Sequence, residues 1–186
     1  MKLLVASDIH GAAEYMEHLF NRIKEEHPDR VILLGDLLYH GPRNNLPDSY
    51  NTMYVAAMLN SIEVPIICVR GNCDAEVDQV MVEFPIMAEY AVVDDGNRTI
   101  FATHGHSMDW SRKLLKDPSQ ILLSGHIHIP GIWYEENCTR INPGSVSLPR
   151  NNTPHSYAVL EDNLVIWKDV TNGQEYDRVD LSIAKE

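Results

Sequence analysis

Apolar positions along this chain come in short runs closed by polar or glycine residues, and the spacing of the runs changes about half-way. The run "KLLVAS" (2–7) predicts a buried strand. Residues 12–26 place Tyr15, Leu19, Phe20 and Ile23 at helical spacing, which predicts an amphipathic helix. "RVILLG" (30–35) is the next predicted strand, followed by the Pro- and Asn-rich loop "YHGPRNNLPD". Residues 51–61 again have helical spacing, and "PIICVR" (65–70) predicts a third strand. Strand, helix, strand, helix, strand implies βαβ units and a parallel sheet.

Beyond residue 88 the pattern becomes β-rich. "AEYAVV" (88–93) and "RTIFAT" (98–103) flank Asp94-Asp95-Gly96-Asn97, a hairpin turn signal. A helical piece around 109–117 precedes the strand "QILLSG" (120–125). The runs "GIWYEE", "CTRINPG", "SYAVLE", "NLVIWKDV" and "EYDRVDL" follow, separated by turn residues. The expected fold class is α/β, with residues 1–186 as one domain. Its second half is expected to be antiparallel, giving a β-sandwich of mixed sheets flanked by helices. Strand order within the sheets is not readable from the pattern.

Composition narrows the function classes. At 186 residues the chain is long enough for a substantial core. Its 15 Lys and Arg against 27 Asp and Glu give a net charge of −12. That balance argues against non-specific nucleic-acid binding, which draws its affinity from basic residues on phosphates. The apolar stretch at the start is too short for a secretory core and runs into Asp8 and His10. No run approaches the ~20 residues of a membrane helix. The three cysteines, Cys68, Cys73 and Cys138, form no Cys-x-x-Cys pair and leave one odd. A reducing cytoplasm is therefore the expected compartment, and the sequons at Asn97, Asn137 and Asn151 are read as chance matches.

The chemistry sits where the apolar runs end. After "LLVAS" come Asp8-Ile9-His10-Gly11; after "VILLG", Asp36; after "IICVRG", Asn72-Cys73-Asp74. After "TIFAT" come His104-Gly105-His106, and after "ILLSG", His126-Ile127-His128. Each has a plain structural reading in isolation. Asp8 could cap the following helix, Asp36 could belong to a turn, and a histidine pair could face solvent. Two histidines at i and i+2 point the same way only if the segment stays extended. Five strand ends carrying potential ligands change the balance, because the carboxyl ends of strands form the site in open α/β sheets. Imidazole, carboxylate and amide oxygen without thiolate suit divalent Mn, Fe, Ni or Zn. The candidate ligands Asp8, His10, Asp36, Asn72, His104, His126 and His128 suffice for two ions if one carboxylate bridges.

In this order, Asp8-x-His10, Gly35-Asp36, Gly71-Asn72, His104-Gly105-His106 and Gly125-His126-x-His128 resemble the calcineurin-like metallophosphoesterase superfamily. Gly71-Asn72-Cys73-Asp74 and Asn142-Pro143-Gly144-Ser145 look most like its small YfcE-type phosphodiesterases. The resemblance runs from Asp8 to about Pro149. It implies a metal site at the strand ends, with Asp8, His10 and His128 on one ion, Asn72, His104 and His126 on the other, and Asp36 bridging. It also implies that Asn72 and His104 serve catalysis through metal and phosphate positioning, and that a metal-bridging hydroxide attacks phosphorus in line.

Many relatives place a histidine after the asparagine, where it assists the leaving group; this chain has Cys73. A thiol is a weak hydrogen-bond donor, and beside two cations it would tend towards thiolate. Little acid catalysis is therefore expected of it. The resemblance makes His104, the first of its pair, the ligand, so His106 is only a candidate for a contact to substrate or to a ligand. His40 and Arg43 are candidates to face phosphate, although a solvated loop is the simpler reading. Asp74 is expected to cap a turn or orient a ligand histidine, and Asn142 to Ser145 to be a turn without a role of its own.

The expected function is a metal-dependent phosphodiesterase acting on a small or exposed phosphodiester, with Mn²⁺ the first expectation and Ni²⁺, Fe²⁺ or Zn²⁺ as alternatives. No membrane partner is expected, and a homo-oligomer is left open. The rivals are a phosphomonoesterase on the same metals and a non-catalytic scaffold like the retromer subunit of this fold.

Overall fold

The computed structural model describes residues 1–107 and 111–182. Its strands are β1 (Lys2–Ala6), β2 (Arg30–Leu33), β3 (Ile66–Cys68), β4 (Ala91–Asp94), β5 (Thr99–Thr103), β6 (Ile121–Ser124), β7 (Gly131–Tyr134), β8 (Thr139–Asn142), β9 (Ser156–Glu161), β10 (Leu164–Asp169) and β11 (Glu175–Asp180). Helices α1 (Ala13–Glu26), α2 (Thr52–Asn60), α3 (Glu76–Met81) and α4 (Ser111–Leu114) lie between them. Of the helical piece expected around 109–117, residues 109 and 110 lie outside the described residues.

β1 is apolar at successive positions because both of its faces are buried. Leu4 and Ala6 join Val31 and Leu33 of β2 in a core with Met16, Leu19 and Ile23 of α1 and Val55, Ala56 and Leu59 of α2. Leu3 and Val5 point the other way and meet Ile100, Ala102, Ile121, Leu123 and Ile141 of the facing sheet. β5 and β6 repeat the arrangement, with Phe101 and Leu122 turned outward onto Leu115 and Cys138. The result is two face-to-face sheets with helical cover, and the period-2 alternation of each strand sorts side chains between layers.

The six-stranded sheet runs β11-β10-β9-β1-β2-β3, and the five-stranded sheet β4-β5-β6-β8-β7. The two halves expected from sequence are therefore not two spatial halves. The last three strands return to the first sheet, where β9 pairs antiparallel with β1 and Leu3 lies opposite Leu160. The second sheet has a parallel centre, since β5 pairs with β6 and β6 with β8 in that sense. The expected antiparallel second half is thus corrected: β5, β6 and β8 form a parallel centre flanked by antiparallel β4 and β7, while β9, β10 and β11 extend the parallel β1-β2-β3 half of the first sheet in antiparallel sense.

Helix α3 is absent from the sequence expectation. At 6 residues it is too short for an apolar period to register, and it starts at Ala75 without a capping hydroxyl. Asp78 reaches back from the first turn and accepts the Ala75 N–H at 2.8 Å, which fixes the start of the helix.

Candidate metal centre

Every candidate ligand follows the carboxyl end of a parallel strand. β1, β2 and β3 deliver Asp8, His10, Asp36 and Asn72 from one sheet; β5 and β6 deliver His104, His126 and His128 from the other. The loops are tied together by their backbones. Asp8 N–H donates to Gly35 O, His10 N–H to Asp36 O and Gly125 N–H to His104 O, at 2.9–3.1 Å. Their contact is close enough to require glycine. A Cβ on Gly71 would collide with Asp36 Oδ1, and one on Gly125 with Ser7 Oγ.

The backbone is strained at the ligands. Asp8, His10, Asp36, His126 and His128 all have φ between 50° and 67°, the left-handed region that side chains seldom occupy. Each such residue costs of order 1 kcal/mol or more, and such strain concentrates at functional sites. The bend also decides the orientation of the histidine pair. His126 and His128 do not point the same way. His128 Nε2 lies 3.1 Å from Asp8 Oδ1 and 3.4 Å from His10 Nε2. The ring of His126 instead lies 5.1 Å from that of His104, centroid to centroid. One left-handed turn splits the pair between two places.

Three histidines have a fixed tautomer. Nδ1–H of His10 donates to Tyr39 O at 2.8 Å, that of His104 to Leu34 O at 2.6 Å, and that of His128 to Leu148 O at 2.6 Å. A carbonyl only accepts, so in each neutral ring Nε2 carries the lone pair and faces the site. The Nε2 lone pairs of His10 and His128 therefore confront one another. Asp8 Oδ1 beside them is buried without a hydrogen-bond donor. On the other side, His104 Nε2 faces the acceptor Asn72 Oδ1 at 3.1 Å. Electron-rich atoms packed against one another this way are complementary to cations and to little else.

Asp36 lies between the two groups. Its Oδ2 is 3.3 Å from His104 Nε2 and 3.7 Å from His10 Nε2, while Oδ1 accepts the Cys73 N–H at 2.7 Å. Asp8, His10 and His128 converge within metal-ligand reach of one another, and so do Asp8, Asp36 and His104. The charges respond to this packing. Burial alone would raise the carboxyl of Asp8, but the surrounding histidines outweigh it and hold the group well below the usual range. Burial likewise opposes ionisation of His104, yet the Asp36 carboxylate raises it to about 9. The centre is thus an anionic nest that holds positive charge.

The family-wide sequence pattern described as the calcineurin-like phosphoesterase superfamily domain matches residues 1–163. The chain belongs to the calcineurin-like phosphoesterase superfamily. It is similar to the phosphodiesterase YfcE of Escherichia coli (strain K12), at 38% identity over 165 residues, covering 89% of this chain and 90% of the relative. The solved structure of YfcE, a phosphoesterase from E. coli, superposes with a TM-score of 0.87 at 34% identity, covering 97% of this chain and 100% of that one. The Zn²⁺ complex of Vps29 from Entamoeba histolytica shares the fold, with a TM-score of 0.61 at 23% identity over 97% of this chain and 99% of that one. Members of this superfamily use divalent metals, and the donor set of this chain fits them.

The structure also reassigns residues around the ligands. Asp8 caps no helix, since α1 begins at Ala12 without a side-chain cap. Asp74 orients no histidine. Its buried carboxylate accepts the N–H groups of Leu37, Asp36 and Gly71 at 2.7–2.9 Å, clamping the β2 and β3 loops together. Asn142-Pro143-Gly144-Ser145 is a brace as well as a turn. Asn142 donates to Gly125 O at 2.8 Å, and Ser145 and Ser147 both donate to Asp8 O, at 2.9 and 3.0 Å.

Burial, with Asp36 beside it, pushes the Cys73 thiol up to about 12. The nearby carboxylates add to burial in holding the thiol protonated in the metal-free chain. His106 is exposed at the rim, its ring 6.2 Å from that of His126. Arg43 lines the cleft with Asp36, Asn72, His126 and His128, whereas His40 packs between Tyr39 and Tyr50. Sequence reasoning missed Arg150, which lines the same cleft and whose N–H donates to His128 O at 3.1 Å. It stands at no strand end, so no pattern marked it.

Proposed function

We propose that this chain is a metal-dependent phosphodiesterase in which Asp8, His10 and His128 hold one divalent ion and Asn72, His104 and His126 a second, with Asp36 bridging. The position of Asp36 Oδ2, within 3.7 Å of a histidine Nε2 on each side, supports this best. Two such ions, when bound, supply Lewis acidity at phosphorus and a hydroxide near neutral pH for in-line attack. The chain's own residues do the rest. Arg43 and Arg150 on the cleft wall meet the anionic phosphate, and Asn72 with His104 fixes its position against the ligands. Mn²⁺ is the first candidate, because the set is nitrogen and oxygen without thiolate.

Residues 1–186 are read as one domain, since β9, β10 and β11 complete the sheet begun by β1. The substrate is a small phosphodiester and the compartment the cytoplasm, where the three free cysteines stay reduced. No helix among the described residues is long and apolar enough to cross a membrane.

The test compares hydrolysis of a bis-aryl and a mono-aryl phosphate by metal-analysed protein before chelation, after EDTA and after Mn²⁺ is added back. Loss and recovery on the diester, with the monoester slow, is the expected result. Preference for the monoester would favour the phosphomonoesterase reading, and full activity in chelated protein would end the two-ion reading.

A further inference from the structure

Beside the metal centre lies a second concavity that no ligand role uses. A cavity of about 380 Å³ is lined by Leu38, Tyr39, Tyr50, Met53, Val77 and Met81, between the loop after β2 and helices α2 and α3. Its size falls within the range of small-molecule sites. Three contacts tie it to the catalytic end. Cys73 lines both this cavity and the cleft that holds Asp36, Asn72, His126 and His128, so the two meet at one side chain. The Tyr39 carbonyl that forms part of the loop also accepts the Nδ1–H of His10. The Tyr50 ring packs on Gly11 so closely that a Cβ there would meet its Cε2 at 2.6 Å.

The two concavities have opposite character. The cleft carries Arg43 and Arg150, whereas the cavity has no lysine or arginine in its lining. Its one carboxylate, Asp78, is occupied with the Ala75 N–H. The remainder is aromatic and aliphatic, and Met53 and Val77 are left 64% and 69% exposed. Apolar surface held open to water beside a phosphate-sized cleft gains when an apolar group covers it.

We propose that this cavity is a subsite for one ester substituent of the substrate, an uncharged aromatic or apolar group, and that it sets the preference for such diesters. The inference rests on the phosphodiesterase reading above. Net charge at the metals does not favour a diester, which is less anionic than a monoester, so a preference has to come from shape. A second substituent with an apolar place to go provides it. A second phosphate, as in an oligonucleotide or a polyphosphate, has no cation to meet there and faces Asp78 instead.

The experiment uses 4-nitrophenyl phosphodiesters that share a leaving group and differ in the other substituent: methyl, phenyl or naphthyl. With Mn²⁺ present, kcat/KM should rise at least about tenfold from methyl to phenyl, and Met53→Asp or Val77→Asp should shrink that rise to less than about threefold. Val80→Asp, an exposed site on α3 outside the lining, should preserve the ratio. In parallel, the ¹³C-methyl resonances of Met53 and Met81 should move on titration with phenylphosphonate and stay put with methylphosphonate, a readout that needs no turnover.

Equal kcat/KM across the series with unmoved methionine signals would overturn the subsite and leave the phosphodiesterase intact. Failure to hydrolyse any ester with any metal would overturn the phosphodiesterase reading itself. A self-association that Met53→Asp abolishes, with selectivity unchanged, would assign the surface to a second copy of the chain and overturn the subsite.

Discussion

On the Asp8 side of the ligand cluster, His10 and His128 are both buried, and a backbone carbonyl pins each ring. On the Asn72 side only His104 is held in that way. His126 is half-buried and its ring nitrogens have no hydrogen-bond partner among the described residues, while Asn72 is exposed and donates only to Cys73 Sγ, at 3.2 Å. Pinned ligands lose little freedom when a cation arrives, whereas unpinned ones must be ordered first. The first side is built for retention. The second is open to the cleft that Arg43 and Arg150 line, and on the two-ion proposal it should exchange its ion more readily.

The residue shared by both sides gives the largest expected effect. Asp36→Asn keeps the shape and removes the charge between the two groups, so both ions should weaken together. Partners that merely orient a ligand cost about 10–100-fold in metal affinity or activity, so the rate should fall by at least about a hundredfold. Unchanged metal content and rate would show that Asp36 joins nothing.

The asymmetry itself is tested by a pair of variants. After dialysis against a weak chelator, His126→Ala should keep one tightly held ion per chain, with affinity for the other reduced roughly tenfold or more. His128→Ala should lose the tightly held one. If the two variants retain the same ion with the same affinity, the sides are equivalent and the comparison fails.

Asp74 sharpens it differently, because it holds Asp36 by the backbone rather than binding at the centre. Asp74→Asn keeps one acceptor oxygen and turns the other into an NH2 donor against buried N–H groups, which should destabilise the fold by about 1–3 kcal/mol in urea unfolding. Metal affinity on the Asn72 side, whose loop Asp74 also clamps through Gly71 N–H, should fall more than on the His128 side. A loss of stability with both affinities intact would confine Asp74 to the scaffold.

A change far from both sides serves as a reference. Glu26 accepts from Tyr157 and pairs with Lys2 and Lys168. Burial would raise its pKa, but contacts from Lys168, Lys2 and Tyr157 outweigh burial and hold it below the ordinary 4.5. A carboxyl depressed in the folded state contributes stability above about pH 4.5 and loses it as pH falls through the folded value. Glu26→Gln should therefore cost about 1 kcal/mol near neutral pH, a cost that fades in acid, with both metal affinities unchanged.

The smallest effect is expected at Cys73. A thiol is a weak hydrogen-bond donor, so Cys73→Ser should alter rates by less than about threefold across aryl diesters of graded leaving group. Cys73→His should help the poorest leaving groups most. A flat leaving-group dependence that turns steep in Cys73→Ser would identify the thiol as the acid.

The positions of the candidate ligands were legible in the sequence for a local reason. A strand ends where its apolar run ends, and the residue that follows lies at the sheet edge whatever the sheet order. Asp8, Asp36, Asn72, His104 and His126 were visible on that ground, and glycines such as Gly71 marked where loops had to approach closely. Burial of β1 and β2 on both faces could be read from their unbroken apolar runs.

Only the tertiary structure decided which ligands meet. His126 and His128 are two residues apart, yet left-handed turns send one to His104 and the other to Asp8 and His10. The same holds for β9, β10 and β11, whose return to β1 depends on pairing across more than 150 residues. It holds again for Arg150 and for the apolar cavity assembled from three separate segments. Local propensity and patterning fix what each segment is. Its partners follow from long-range packing, in which burial of two sheet faces and three strained loops is optimised at once, and no single segment carries that information.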